Sequence, residues 1–274
     1  MKYYARRRLT ALALLLAAAA VFLIFFDGYR VTLRNPGMLS GWFFLGVMVF
    51  LALYNVRKKF PVPPLGPSRF WLQAHIYIGA FTIVPYLFHA GFEIPTGALE
   101  RSLAALYFIV LISGFAGLAI SRILPRRLTA RGGEVVFERL PEHRRKIRTA
   151  VEMLAEGSVA ETRSSTIVNF YTARLRDFFT GPRYTLRHLF EIAPPLNRML
   201  AEIEDQYRYL NDEEKAILQR IAEYVREKDR LDYQYALQLA LKTWLFVHIP
   251  LTNGLFVLAI VHVWLAHAYA GRAL

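Results

Sequence analysis

A chain of 274 residues with no cysteine has no disulfides, no iron–sulfur or zinc thiolates and no thioether-linked haem, so any redox or metal centre must rely on histidine, methionine or non-covalent packing. Hydrophobic residues make up 55% of the chain, enough for five runs near the roughly twenty apolar residues that ~30 Å of hydrocarbon requires. The net charge of +13 does not point to nucleic acid, because the excess sits beside the apolar runs while acids and bases nearly cancel between Arg126 and Asp232.

The first run, Leu9 to Phe26, follows Lys2, Arg6, Arg7 and Arg8. Its alanine stretch admits a cleaved signal peptide, but apolar residues continue through Phe25 and Phe26, beyond the roughly 7–15 residues of a signal core, so a retained span is expected. A second span, Met38 to Tyr54, precedes Arg57, Lys58, Lys59 and Arg69. The third runs from Phe70 to Gly91 and the fourth from Leu103 to Ile123, with Arg122, Arg126, Arg127 and Arg131 at its end. The positive-inside rule puts these basic ends in the cytoplasm. The loops Asp27 to Gly37 and Phe92 to Ser102 face outward, their Arg30, Arg34 and Arg101 offset by Asp27, Glu93 and Glu100.

From Pro125 to Leu239 no run is long enough to span, which predicts a mainly helical cytoplasmic insert. Helices are expected over Pro141 to Ala155, Ser164 to Phe179, Leu196 to Tyr209 and Asp212 to Asp229, the last capped by Asn211. A short extended piece is expected at Glu134 to Phe137, after Gly132 and Gly133. The last span, about Thr243 to Ala268, continues a helix from Tyr233 and runs parallel to span three. The expected fold is an all-α integral membrane protein with about five transmembrane helices forming a haem-binding bundle. Its divisions are 1–124 (helices one to four), 125–239 (insert) and 240–274 (helix five). No phosphate loop, dinucleotide fingerprint or nucleophile elbow occurs.

Seven histidines are present, and five lie in the two parallel spans. Ionisable groups at membrane depth are costly and mark function. His75 and His89 in span three, and His248 and His262 in span five, are each fourteen residues apart. That spacing is two heptads, so both members of a pair share a helix face, roughly 21 Å apart along the axis. Parallel spans pair His75 with His248 near the cytoplasm and His89 with His262 near the outside. The arrangement suits two non-covalent b-type haems with histidine on both sides of each iron, and these four residues are the predicted metal ligands. Two histidines four turns apart on one helix cannot hold one ion, and a proton relay would recruit intramembrane Asp or Glu, which these spans essentially lack.

Small residues near the ligands, Gly79, Ala80, Gly91, Gly254, Gly114 and Gly117, would admit a flat porphyrin or simply serve helix contact. Pro85 and Pro250 would bend the helices, for packing or around a cofactor. Arg69, Trp71, Gln73, Arg122 and Lys242 on the inner side, and Arg101, Tyr269 and Arg272 on the outer, are candidate propionate partners or interfacial anchors. His267, roughly 140° around the helix from His262, is expected at the interface, within reach of a propionate or quinone. His143 and His188 are assigned to the surface or packing of the insert.

His75-x13-His89 and His248-x13-His262 on separate spans resemble the transmembrane domain of the ferric reductase and NADPH oxidase family, and the paired-haem logic is similar to cytochrome b561 proteins. The resemblance covers spans three to five. It implies two haems on four histidines and electrons crossing the bilayer. Two departures stand out: the sequence ends at Leu274 without flavin or nicotinamide domains, and more than a hundred residues separate spans four and five. The expected function is a dihaem cytochrome b subunit working with redox partner proteins in a bacterial inner membrane, its N-terminus and insert cytoplasmic and the insert a docking surface. Alternatives are a quinol-linked or metal-reducing enzyme acting alone, with a bound quinone, and a histidine-dependent proton or metal transporter.

Overall fold

Long apolar runs without helix breakers leave the backbone one way to satisfy its polar groups in hydrocarbon, the α-helix. The computed structural model describes residues 2–31, 36–59, 67–130, 135–192 and 196–270, and every regular element among them is helical. Five helices are long and apolar enough to cross a membrane, which makes this an integral membrane protein. The side chains of Lys2, Arg6, Arg7, Arg8, Arg57, Lys58 and Lys59, and residues Arg34, Arg131, Gly132, Gly133, Glu134 and Arg272, lie outside the described set.

The chain divides into two compact units, Met1–Leu118 with Phe246–Leu274, and Ala119–Leu245. The first contains α1 (Lys2–Val31), α2 (Pro36–Lys59), α3 (Ser68–Phe81), α4 (Ile83–His89), most of α5 (Ala98–Ala130) and the end of a long final helix. Its large apolar side chains, among them Leu14, Ile24, Phe25, Ile112, Ile260 and Trp264, point outward as lipid-facing residues do, while Met48, Tyr107 and Leu255 form an inner cluster.

Span three is two helices rather than one. Pro85 offers no N–H to the carbonyl of Phe81 and its ring crowds that turn, so α3 stops there and α4 starts beyond Thr82. The Thr82 hydroxyl donates to the Gly79 carbonyl at 2.6 Å and accepts from the Tyr107 hydroxyl at 3.0 Å, which keeps the break satisfied away from water.

The second unit packs α6 (Leu140–Thr162), α7 (Thr166–Phe170), α8 (Arg176–Thr180), α9 (Thr185–Phe190) and α10 (Leu196–Gln206) around the start of α11 (Asp212–Ala270). Leu140, Val151, Ala155, Ile221 and Val225 lose all contact with water in its core. The single helix expected over Ser164 to Phe179 is interrupted by a π turn at Tyr171–Leu175, which re-aims the following face so that Phe178 and Phe179 are both buried. No strand forms at Val135 and Val136, and Phe137–Arg139 is a 3-10 turn. The Val135 amide and carbonyl bond instead to Gln234 (3.0 Å) and Gln238 (2.9 Å) of α11.

Asn211 caps α11 reciprocally: its Oδ1 accepts from the Glu214 amide at 2.8 Å, and its own amide donates to the Glu214 carboxylate at 3.0 Å. That backbone bond, with help from Ser164 and Thr162, holds the Glu214 carboxyl below its usual 4.5. A depressed folded pKa gives stability that is present above the unfolded value and lost as the pH falls through the folded one. Glu214→Ala, which removes the carboxylate and leaves the Asn211 side chain in place, is therefore expected to cost about 1 kcal/mol near neutrality. Its thermal-melt difference from the parent should shrink below pH 4.5, and a gap that widens on acidification would refute the capping role.

A buried charge cluster lies beneath α8 and α9. Lys228 and Asp232, one turn apart on α11, form an ion pair sealed from water. The Lys228 ammonium also donates to the Gly181 carbonyl at 2.7 Å and sits 4.1 Å over the Phe178 ring. Asp232 accepts from the Arg183 amide at 3.1 Å and faces Arg144 at 3.8 Å. Burial pushes the Asp232 carboxyl up and the Lys228 ammonium down, against their mutual attraction. His188 is buried too, edge-on to Tyr233 and 3.6 Å from Asp229, so of its two expected roles it takes the packing one.

Candidate functional site

The four spaced histidines lie on α3, α4 and α11 in the first unit. His89 ends α4, and the chain then reverses through Gly91 (φ 66°) and Phe92 (φ 60°). Gly91 is thus a turn residue, needed for its left-handed backbone and not for room beside a cofactor.

His89 Nδ1 bonds to the Gly37 carbonyl at 3.1 Å, and His75 Nδ1 bonds to the Leu51 carbonyl at 3.1 Å. A carbonyl has no proton to give, so Nδ1 carries it in both rings and Nε2 becomes the lone-pair nitrogen, the one suited to a metal. Gly37 and Leu51 are themselves fourteen residues apart, so α2, running antiparallel to α3 and α4, meets the histidine spacing with a matching pair of backbone acceptors. Helical carbonyls ordinarily serve only the residue one turn on, and these two also orient imidazoles as supporting groups do around metal ligands.

The His89 and His262 ring centres stand 6.1 Å apart with planes at 86°. An imidazole nitrogen sits about 2 Å from its metal, and its ring centre lies a little beyond, so two rings on opposite sides of one iron stand about 6 Å apart. The pair opens on a cavity of 600 Å³ that Trp42, Phe44, Tyr86, Tyr107 and Leu255 also line, within the roughly 300–1,000 Å³ of cofactor and ligand pockets. The residues present fit a haem here. Among the described residues no group of three or more His, Asp or Glu could hold a bare ion, whereas a porphyrin iron needs only two protein ligands.

Gly41, absent from the sequence expectations, makes this arrangement possible: a methyl group on its Cα would fall 2.8 Å from Cε1 of His89. Gly37-x3-Gly41 has the small-residue spacing of close helix contacts, and that signal could have found it. His267 lines the same cavity, with its ring edge-on to Trp42 at 5.6 Å and Nδ1 bonded to the Val263 carbonyl at 2.9 Å.

At the other pair, His248 Nδ1 lies 3.1 Å from the Ser113 hydroxyl, and His75 packs on Tyr54 with ring centres 5.2 Å apart. Gly114 abuts His248, since a methyl group there would meet its Cε1 at 3.8 Å.

The remaining expected site residues divide. Gly79 faces open space, whereas a methyl group added at Gly254 would meet Leu106 at 3.7 Å, an ordinary contact. Lys242 is engaged by Glu138 at 2.5 Å and lies over Phe137, an ion pair within the second unit. Arg69 is exposed over Phe70, Arg122 and Tyr269 are exposed, Arg101 folds back on the Gly97 carbonyl and Trp71 stacks on Phe50. Known family models, curated proteins and solved structures offer no match to this chain.

Proposed function

We propose that this chain is a dihaem b-type cytochrome, the membrane subunit of a redox assembly, similar in plan to the ferric reductase and cytochrome b561 membrane domains. It carries electrons across a bacterial inner membrane with its N-terminus and residues 125–239 on the cytoplasmic side. His75 with His248, and His89 with His262, would each hold one haem. The observation that carries the reading is the His89–His262 geometry: two rings 6.1 Å apart, facing a cavity of porphyrin scale.

Bound haem would supply a one-electron carrier at each site. The chain's own part is to fix the tautomers of His89 and His75 through the carbonyls of Gly37 and Leu51, present their Nε2, and line the His89–His262 site with aromatic side chains. With two histidines assigned to each haem, bound iron would have no open position for oxygen or substrate, and chemistry beyond electron transfer would belong to partner proteins.

A reduced-minus-oxidised spectrum of purified protein, with haem measured per polypeptide, is expected to show two b-type haems. His89→Ala and His262→Ala should each lose the same one, and His75→Ala and His248→Ala the other. A shared phenotype of His75 and His262 would break the pairing, and folded but colourless protein from haem-replete cells would end the reading.

One observation favours a second ligand: the cavity extends to Thr96, Glu100 and His267, polar groups fitted to a quinone ring. Quinol-driven haem reduction by the purified chain would support a self-sufficient quinol-linked enzyme, and its absence would leave the partner-dependent subunit.

A further inference from the structure

Helix α9 carries apolar side chains that the second unit does not cover. Leu186, Phe190 and Ile192 are 69, 68 and 57% exposed, although the intervening Leu189 packs into a cluster with Leu124, Leu128, Tyr233 and Leu237. The end of α9 is tied to α5 by Arg127, whose guanidinium donates to the Leu189 carbonyl at 3.0 Å and pairs with Glu191 at 3.4 Å.

That attachment sets a depth. The apolar run of α5 ends at Ile123, so Arg127 stands about 6 Å farther along the axis. The polar layer on each side of the hydrocarbon is about 5–8 Å thick, the difference between ~30 Å of core and ~40–45 Å overall. On that spacing the end of α9 would stand at headgroup level. Its charge agrees, since Arg122, Arg126, Arg183 and Arg187 are exposed and outnumber the acids beside them, Glu191 paired with Arg127 and Asp177 at 3.9 Å from Arg183.

We propose that Phe190 and Ile192, with Leu186 one turn behind, form a lipid-contact element that rests in the headgroup layer of the protein's own membrane, while Arg183 and Arg187 meet the phosphates of anionic lipid. Apolar residues beside arginines on a short surface helix are the composition that binds this boundary. The element fixes the second unit to the bilayer by a contact other than the spans.

The lack of cysteine makes the test direct. Phe190→Cys, Ile192→Cys and, as a control, Tyr209→Cys are labelled with an environment-sensitive fluorophore in the full chain. Tyr209 is 76% exposed and lies on the turn before α11, outside the α9 patch. In phosphatidylcholine–phosphatidylglycerol nanodiscs, labels at 190 and 192 should be quenched by headgroup spin-labelled lipid and several-fold less than the control by aqueous iodide. Arg183→Gln with Arg187→Gln, or discs of phosphatidylcholine alone, should weaken the lipid quenching. Iodide quenching equal to the control would overturn the proposal. So would shielding from iodide without quenching by lipid, which would assign the patch to a protein neighbour.

Discussion

Gly41→Leu is expected to empty one haem site while leaving the fold of the bundle intact. The first added carbon already falls 2.8 Å from Cε1 of His89, inside contact distance, and the ring cannot retreat without giving up the Gly37 carbonyl that holds its Nδ1. The ring must turn, and Nε2 then no longer faces His262. Haem per polypeptide should fall from two to one, matching His89→Ala, with a stability cost of about 1–3 kcal/mol from overpacking. Gly46→Ala is the control on the same helix, since a methyl group there meets nothing within 4 Å. If Gly41→Leu retains both haems with unshifted spectra, the cavity beside His89 is not the haem site.

The second large effect lies in the other unit. Asp232→Ala removes the acceptor shared by Lys228, Arg144 and the Arg183 amide, leaving cations together in a region without water. Losing one partner of a buried pair costs about 3–5 kcal/mol. The variant should therefore open residues 119–245 to limited proteolysis at temperatures the parent withstands. Adding Lys228→Met to Asp232→Ala should recover part of the loss, because the stranded ammonium goes with it. A cost under about 1 kcal/mol for Asp232→Ala would mean that the cluster is hydrated in solution.

Five apolar helices could be read directly from the chain because a bilayer demands contiguous apolar length, and the Asn211 cap because capping needs specific side chains next to the first turn. Span three as two helices was only half legible: Pro85 announces a disturbance, but the break falls one turn earlier, where the orphaned carbonyl lies. The π turn at Tyr171–Leu175 has no comparable marker. For the site, equal spacing of His75–His89 and His248–His262 was enough to suggest which rings meet, and His89 does face His262. Lys228 and Asp232 read as an ordinary surface pair one turn apart, and only packing from α8 and α9 seals them. Nothing in the letters could reveal that Gly37 and Leu51 hold two of the imidazoles, because the atoms involved belong to the main chain.

That last point has an evolutionary side. Every amino acid brings the same carbonyl, so no side-chain exchange at 37 or 51 deletes the acceptor itself. What the lineage must preserve is registration: a one-residue slip of α2 against α3 and α4 would detach both imidazoles together. Helix α2 therefore works as a ruler whose graduations are peptide groups. Insertions or deletions within it should be purged far more strictly than substitutions, and amide-to-ester exchange is the chemistry that could dim a single mark.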